Sequence, residues 1–328
     1  MAQNYSGNDG EPFLLKEVER PIIGALLGII SVCAFFGNVL VILSFALSKK
    51  LQNTTNVFVV NLSVADLITS VCITVNVVAI ARPQHLPDWI CVWCGFFSVI
   101  CVGCSVYTLA CIAAYRFNVI SKRQRQLSKS AKAVVISVVV GLTWFTPITV
   151  ATVPLLFGLG EFGYNTKYSS CTWNSYMKDT YDYSLILSAC YYPVPMLVII
   201  TSYSKIFFIL RKIKKRVSPE LAVPSEPSSG LRIMRHAQRA PYALEKRQAT
   251  VTKNMFYVVC AFLICMTPYS MALVFPGSDR FIPYSAVILM LSSCVNPTIY
   301  ATKHPDFSKV MKKIVTCNFH KIPHYVFR

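Results

Sequence analysis

The chain has 328 residues, of which 54% are hydrophobic and only 14% are charged, and its formal net charge is +18. Soluble globular domains carry about 25% charged residues, so this composition excludes that class. It indicates a protein that crosses a membrane several times.

Seven apolar stretches are long enough to cross a bilayer, which takes roughly 20 residues in a helix. They are 21–48, 56–81, 89–120, 133–157, 183–210, 251–275 and 281–302. We therefore predict an all-α membrane protein, a seven-transmembrane helix bundle at 21–302, preceded by a tail at 1–20 and followed by a C-terminal segment at 303–328. The odd number of spans places the two termini on opposite sides.

Basic residues predict the orientation of the bundle. Most of the 32 Lys and Arg residues flank one set of span ends, and the exceptions at the opposite ends are Lys16, Arg20, Arg82, Lys167, Lys178 and Arg280. Because basic loops stay in the cytoplasm, we expect an extracellular N-terminus and a multi-pass protein of the plasma membrane. The basic face would meet membrane lipids and acidic protein surfaces. Nucleic acid is not an expected partner, since the charge is spread over membrane loops.

The sequence suggests three covalent modifications, namely glycosylation of the N-terminal tail, a disulfide bond and palmitoylation near the C-terminus. The tail at 1–20 is too polar for a cleaved signal peptide, and its Asn4-Tyr5-Ser6 is a glycosylation sequon. Most of the 13 cysteines lie within spans, where they behave as small apolar residues. Cys91, Cys94 and Cys171 lie near the oxidising outer face, and we predict a Cys91–Cys171 disulfide. Cys317 is placed for palmitoylation.

Two cytoplasmic segments follow the fifth and seventh spans. The long third loop, 211–248, is predicted to have a flexible middle and helical ends. After the last span, 304–314 alternates apolar and Lys residues at helical spacing, which predicts a short amphipathic eighth helix at the membrane interface. An unstructured basic tail is the alternative.

Asp66 is an acid well inside a span, where an unpartnered carboxylate is costly. By depth, its candidate partners are Asn38, Ser105, Ser293 and Asn296. Carboxylate, hydroxyl and amide oxygens could form a site for a sodium ion. A protonated Asp66 within a hydrogen-bonded cluster is the alternative.

Every span carries a landmark that resembles the rhodopsin-like class of G-protein-coupled receptors, over residues 21 to about 316. The landmarks are Gly37-Asn38, Leu62 with Ala65-Asp66, Cys91 with Arg116, Trp144, Pro195 with Tyr203, Phe262 with Pro268, and Asn296-Pro297-Thr298-Ile299-Tyr300. Other segments are similar to melatonin receptors and related invertebrate orphan receptors, including Tyr168-Ser169-Ser170-Cys171-Thr172-Trp173. Gly160-Glu161-Phe162-Gly163-Tyr164 and Lys303-His304-Pro305 are instead similar to opsins.

The resemblance can be tested against two known ligand chemistries. Opsins hold retinal on a lysine seven residues before the seventh-span proline, and Met290 occupies that place here, so we expect no covalent retinal. Aminergic receptors use a carboxylate where this chain has Ser98.

The resemblance implies an extracellular ligand pocket with apolar and neutral polar walls, suited to a small, neutral or lipophilic ligand. Its residues would be Asn76, Ser98, Val102, Trp173, Leu187, Tyr191, Tyr269, Leu273, Ala286 and Met290. Helix packing is the alternative role for several of them.

The resemblance also implies coupling to a heterotrimeric G protein, of the inhibitory type if the melatonin likeness holds, and arrestin as a further partner. The coupling and activation residues would be Arg116, Tyr203, Phe262, Met266, Pro268, Asn296, Pro297 and Tyr300. Tyr115 and Gln248 stand where this class often has acids, and Met266 replaces the customary Trp. We therefore expect raised ligand-independent activity and altered coupling between the pocket and the sixth span.

The two alternative functions are a receptor-like binding protein and a transporter. A receptor-like ligand-binding protein without G-protein coupling is compatible with Tyr115 and Met266. A seven-span transporter would usually show repeats or charged midplane residues that line a path, whereas this sequence has no repeat and one acid within its spans, Asp66. The spans contain no arrangement of catalytic residues, so we expect no enzyme.

Overall fold

The computed structural model describes residues 17–82, 86–121, 129–174, 180–220, 252–254, 256–275, 277–323 and 325–326. The predicted glycosylation site at Asn4, the middle of the third loop and Gln248 lie outside the described residues.

Seven helical spans form the bundle and confirm the predicted fold class. The described helices are α1 (Glu19–Leu47), α2 (Thr54–Ala81), α3 (Asp88–Ile120), α4 (Lys129–Phe157), α5 (Thr180–Tyr191), α6 (Pro193–Glu220), α7 (Thr252–Val274), α8 (Ile282–Lys303) and α9 (Pro305–Val315). Within the described residues, seven spans are long and apolar enough to cross a membrane, with α5 and α6 together forming the fifth. Large apolar side chains cover the outward faces, as a lipid-facing surface requires.

The fifth span is interrupted at Tyr192, which the sequence analysis did not predict. Pro193 and Pro195 lack backbone N–H groups, so two bonds of the helical ladder are missing here. The ladder continues at Tyr192, whose N–H donates to the carbonyl of Ser188 at 3.0 Å and whose carbonyl accepts from the N–H of Met196 at 3.1 Å. The hydroxyl of Tyr107 in α3 donates to the carbonyl of Cys190 at 3.0 Å. A neighbouring helix thus satisfies a backbone acceptor beside the break.

A β-hairpin covers one end of the bundle, which we call the hairpin end. Its antiparallel strands, β1 (Glu161–Asn165) and β2 (Ser170–Asn174), pair Tyr164 with Cys171 and Phe162 with Trp173. The predicted disulfide is confirmed, since Cys171 of β2 is bonded to Cys91 in the first turn of α3. The hairpin is therefore fixed to the central helix.

At the opposite end, α9 confirms the predicted eighth helix. The ring of His304 accepts a hydrogen bond from the backbone N–H of Phe307, which caps the helix. Phe307, Val310 and Met311 are buried against the bundle, whereas Lys309 and Lys312 are exposed. Lys50 in the first loop forms an ion pair with Asp306 at 2.8 Å.

The chain after α9 turns back onto the end of α1. The hydroxyl of Ser48 donates to the carbonyl of Pro323 at 2.7 Å, and the N–H of Val326 donates to the carbonyl of Leu47 at 3.2 Å. Ile322 is buried beneath this segment. The C-terminal segment therefore forms part of the packed end opposite the hairpin rather than a separate tail.

Candidate functional site

A cavity of about 550 Å³ opens inside the hairpin end. All ten residues predicted to form a ligand pocket border it: Asn76, Ser98, Val102, Trp173, Leu187, Tyr191, Tyr269, Leu273, Ala286 and Met290. The helices supply these residues from five spans, and β2 supplies Trp173. The volume falls within the range of roughly 300–1,000 Å³ that is usual for small-molecule sites.

Aromatic side chains form the roof of the cavity. The Trp173 ring lies 5.3 Å from the ring of Phe162 and 4.4 Å from that of Tyr183, between ring centroids. Asn76 joins this roof to α2, because its side-chain oxygen accepts a hydrogen bond from the N–H of Cys171 at 2.7 Å. Together with the disulfide, this contact holds the hairpin rigidly over the cavity.

A polar bridge crosses the cavity mouth, and the sequence analysis did not predict it. Lys167 forms an ion pair with Asp279 at 2.7 Å, and the hydroxyl of Tyr168 donates to the same carboxylate at 2.8 Å. Partial burial alone would raise the pKa of Asp279, but the hydrogen bonds and the positive charge of Lys167 outweigh burial and lower it. Burial and the bond to Asp279 raise the pKa of Tyr168, which therefore remains a donor.

The inner cavity wall has few charged groups. Met290 borders the cavity at the position that opsins use for the retinal lysine, and Lys167 at the mouth is the only lysine among the described residues that border it. Lys167 is already engaged by Asp279. The walls below the mouth are apolar, with scattered hydroxyl and amide groups.

Beneath the cavity, three of the four predicted partners surround Asp66. Its carboxylate accepts hydrogen bonds from Ser105 at 3.4 Å, Ser293 at 3.1 Å and the Asn296 amide at 2.8 Å, and it is 2% exposed. The prediction for Asn38 was wrong. Its amide donates instead to the carbonyls of Ala34 and Ser293, at 2.8 and 2.9 Å, which joins α1 to α8.

The predicted activation residues occupy the core between the cavity and the opposite end. Arg116, Tyr203, Phe262, Met266, Asn296, Pro297 and Tyr300 are all buried. Pro268 lies half-buried in α7. Met266 both borders the cavity and belongs to the buried apolar cluster that contains Phe262, Tyr203 and Tyr300. A continuous packed path therefore connects the cavity to the far end of the bundle.

A second polar cluster was missed by the sequence analysis. The indole N–H of Trp144 donates to the Asn61 side-chain oxygen at 2.8 Å, and the Asn61 amide donates to the hydroxyls of Thr108 and Thr143 at 2.7 and 3.2 Å. These contacts join α2, α3 and α4. Asn61 lies within a span, and an amide at that depth requires partners, so that signal could have revealed the cluster.

Cys317 follows α9 and is exposed. Its palmitoylation stays a prediction, as do the roles of the cavity and core residues in binding and coupling.

A family model described as 7 transmembrane receptor (rhodopsin family) matches residues 37–300. The chain belongs to the rhodopsin family of seven-transmembrane receptors. The family predicted from the landmarks is thereby confirmed. The receptor is a multi-pass membrane protein, and this family is not one of enzymes.

Individual relatives are distant but extend over most of the receptor. Melanopsin-B of Xenopus laevis is 27% identical over 310 residues, which are 90% of this chain and 55% of that protein. The allatostatin-A receptor of Bombyx mori is 26% identical over 331 residues, 96% of this chain and 85% of that protein. The GQ-coupled rhodopsin of Mizuhopecten yessoensis is 27% identical and covers 88% and 58%, respectively. The chain therefore spans little more than half the length of melanopsin-B and of this rhodopsin.

The crystal structure of squid rhodopsin has the same fold. It superimposes with a TM-score of 0.78 over 98% of this chain and 93% of that chain, at 20% sequence identity.

Proposed function

We propose that the receptor binds a small, neutral and lipophilic ligand in the cavity and activates a heterotrimeric G protein. The proposed location is the plasma membrane, with the N-terminus and the hairpin end outside. The observation that carries the proposal is the position of Met266, which touches the cavity and packs within the core that reaches Tyr203 and Tyr300. A ligand that repositions Met266 would change the packing of the whole core, because close-packed interiors transmit displacement.

The preference for a neutral ligand follows from the charges around the cavity. Lys167 and Asp279 neutralise each other at the mouth, so a charged ligand deeper in the cavity would lose its hydration without gaining an ionic partner. Apolar walls with hydroxyl and amide groups instead favour a lipophilic ligand with a few hydrogen-bonding atoms. Trp173 and Tyr191 would supply the aromatic surface.

Two features of the opposite end support the proposal of G-protein coupling. Arg116 lies in the core close to Tyr203, and α6 continues toward the basic third loop. The resemblance to melatonin receptors favours an inhibitory G protein, whereas one relative is a GQ-coupled rhodopsin. We propose the inhibitory type, with the GQ type as the alternative that the same experiment measures.

The Asp66 cluster has a donor set suitable for a sodium ion. The carboxylate of Asp66 and the hydroxyl oxygens of Ser105 and Ser293 converge on one buried position, and hard oxygen ligands are those that such a cation prefers. Asn296 turns its NH₂ group toward Asp66, and its side-chain oxygen would complete the set after rotation of the amide. Sodium bound there would stabilise the packed arrangement of α2, α3 and α8.

The test is G-protein activation in cells that express the receptor without added ligand, measured with a panel of G-protein biosensors. Arg116→Ala should abolish the signal, and Arg82→Ala, the same change at the hairpin end, should preserve it at equal surface expression. The biosensor that responds identifies the G protein. A lipophilic ligand that binds in the cavity but activates none of the biosensors would contradict coupling and favour a binding protein that does not use G proteins.

A further inference from the structure

The cavity mouth at the hairpin end is bridged on its aqueous side. Lys167 and Tyr168 of the hairpin both contact Asp279, which follows α7, and Phe162 and Trp173 lie beneath the hairpin as a buried aromatic layer. A ligand arriving from water would have to pass these charged and hydrogen-bonded groups. A lipophilic ligand would first partition into the bilayer, where its concentration is higher.

A second, apolar groove of about 680 Å³ lies on the outward face of α7. Ile264, Met271, Phe275 and Phe281 line it, and all four are exposed on the surface that faces the membrane. Its hydroxyl groups are already engaged: that of Thr267 bonds to the carbonyl of Leu263 and to the Tyr192 hydroxyl, at 2.7 and 2.9 Å. The groove therefore suits an apolar chain that neither donates nor accepts hydrogen bonds.

The groove and the cavity share one wall. Ala272, Phe275 and Ser278 border both, so the last turn of α7 and the residues after it separate the bilayer from the cavity. The Ser278 hydroxyl bonds to the carbonyls of Ala272 and Phe275, the latter at 2.7 Å. The Ser278 hydroxyl therefore bonds within the wall itself, and a passing apolar molecule would not have to break a side-chain hydrogen bond from this hydroxyl to another helix.

We propose that the lipophilic ligand reaches the cavity sideways from the bilayer, through the groove on α7 and past Phe275. This inference rests on the proposed ligand chemistry but not on G-protein coupling. Phe275 is 58% exposed and borders both spaces, so its ring acts as the movable part of the wall. Ala272 and Ser278 form the fixed part.

The test uses a long-chain alcohol that carries a photoreactive diazirine, dissolved in the lipid of receptor nanodiscs. After flash photolysis at increasing times, mass spectrometry measures the labelling of groove peptides and of cavity peptides containing Trp173 or Met290. Phe275→Ala should accelerate cavity labelling severalfold, and Phe275→Trp should slow it severalfold. Groove labelling should precede cavity labelling in the wild type.

Two further variants separate the routes. Phe157→Ala removes an exposed ring at the hairpin end of α4 that borders neither space, and it should leave the labelling rate unchanged. Asp279→Asn weakens the bridge at the aqueous mouth and should also leave it unchanged. Acceleration by Asp279→Asn with no response to either Phe275 variant would overturn the lateral route, as would a cavity that stays unlabelled while the groove is labelled. If the labelling rate of the cavity changes as expected in the Phe275 variants but no G-protein biosensor responds to the receptor, G-protein coupling is refuted and the lateral route is not.

Discussion

Gly37 allows α1 to approach α8 closely, and replacing it by Ala should destabilise the receptor. A Cβ atom at this position would lie 2.7 Å from Cγ and 3.0 Å from Cβ of Pro297. Carbon atoms normally approach to about 3.5–4.0 Å, so the two helices would have to separate by about 1 Å. The proline ring cannot rotate away, and overpacking of this kind costs about 1–3 kcal/mol.

The same helix offers a matched control for Gly37→Ala. A Cβ atom on Gly28 would meet nothing within 4 Å, so Gly28→Ala should leave stability unchanged or raise it, by up to about 1 kcal/mol from the lower flexibility of Ala. Thermal unfolding of both variants in lipid nanodiscs can be followed with a thiol-reactive fluorophore, because buried cysteines such as Cys101 and Cys104 become reactive only on unfolding.

The contact with Pro297 can be isolated by a double-mutant cycle. Pro297→Ala removes the Cγ atom but keeps Cβ, so it should relieve part of the destabilisation caused by Gly37→Ala and give a non-additive double mutant. A Gly37→Ala receptor that unfolds at the same temperature as Gly28→Ala would refute the close-approach argument. Strict additivity with Pro297→Ala would assign the loss to another contact.

Three further predictions concern the buried acid, the disulfide and the cavity mouth. Replacing NaCl by choline chloride should change the biosensor signal of the wild type but not that of Asp66→Asn, and an equal response in both would argue against sodium at Asp66. Cys171→Ser should lower the unfolding temperature and surface expression, whereas Cys33→Ser, at an exposed free thiol, should not; equal effects would rule out a specific role of the disulfide. Because the pKa of Asp279 is lowered in the folded receptor, its bridge adds stability above the ordinary carboxyl pKa of about 3.9 and loses it as the pH falls through the lower folded value. The free energy of unfolding of the wild type should thus exceed that of Asp279→Asn at pH 7 by only about 0.2–1 kcal/mol, as expected for an exposed pair. A difference in stability that persists in strong acid would contradict this assignment.

The parts of the receptor that follow from local pattern were predictable. Span positions come from apolar length alone, and the ten cavity residues come from their places relative to landmarks such as Cys91 and Pro297. Three of the four residues predicted as partners of Asp66 do contact it, because polar groups at equal depth in a bundle must satisfy one another. Asn38 was the exception, since depth does not determine which of several buried acceptors an amide will bond.

Features that depend on pairs distant in sequence were not predictable. Tyr168 and Asp279 meet across 111 residues, and neither lies in a periodic element that would place it. The return of the C-terminal segment onto Ser48 likewise has no signal in composition. Pro195 was known from the sequence, but the one-residue irregularity at Tyr192 also involves Pro193 and the hydroxyl that Tyr107 supplies from α3.

The two hydrogen bonds missing at Pro193 and Pro195 make the residues around Tyr192 the point at which the fifth span would bend most easily, as a hinge between a short arm and a long arm. The short arm, α5, stays beside the roof of the cavity, while the long arm, α6, has 28 residues and measures about 42 Å at 1.5 Å per residue. A rotation of roughly 10° about Tyr192 would move the far end of that arm by roughly 7 Å, a distance larger than one helical turn. A small change of angle beside Tyr191 would therefore produce a large displacement at the other face of the membrane, at a point where two bonds of the helical ladder are already missing.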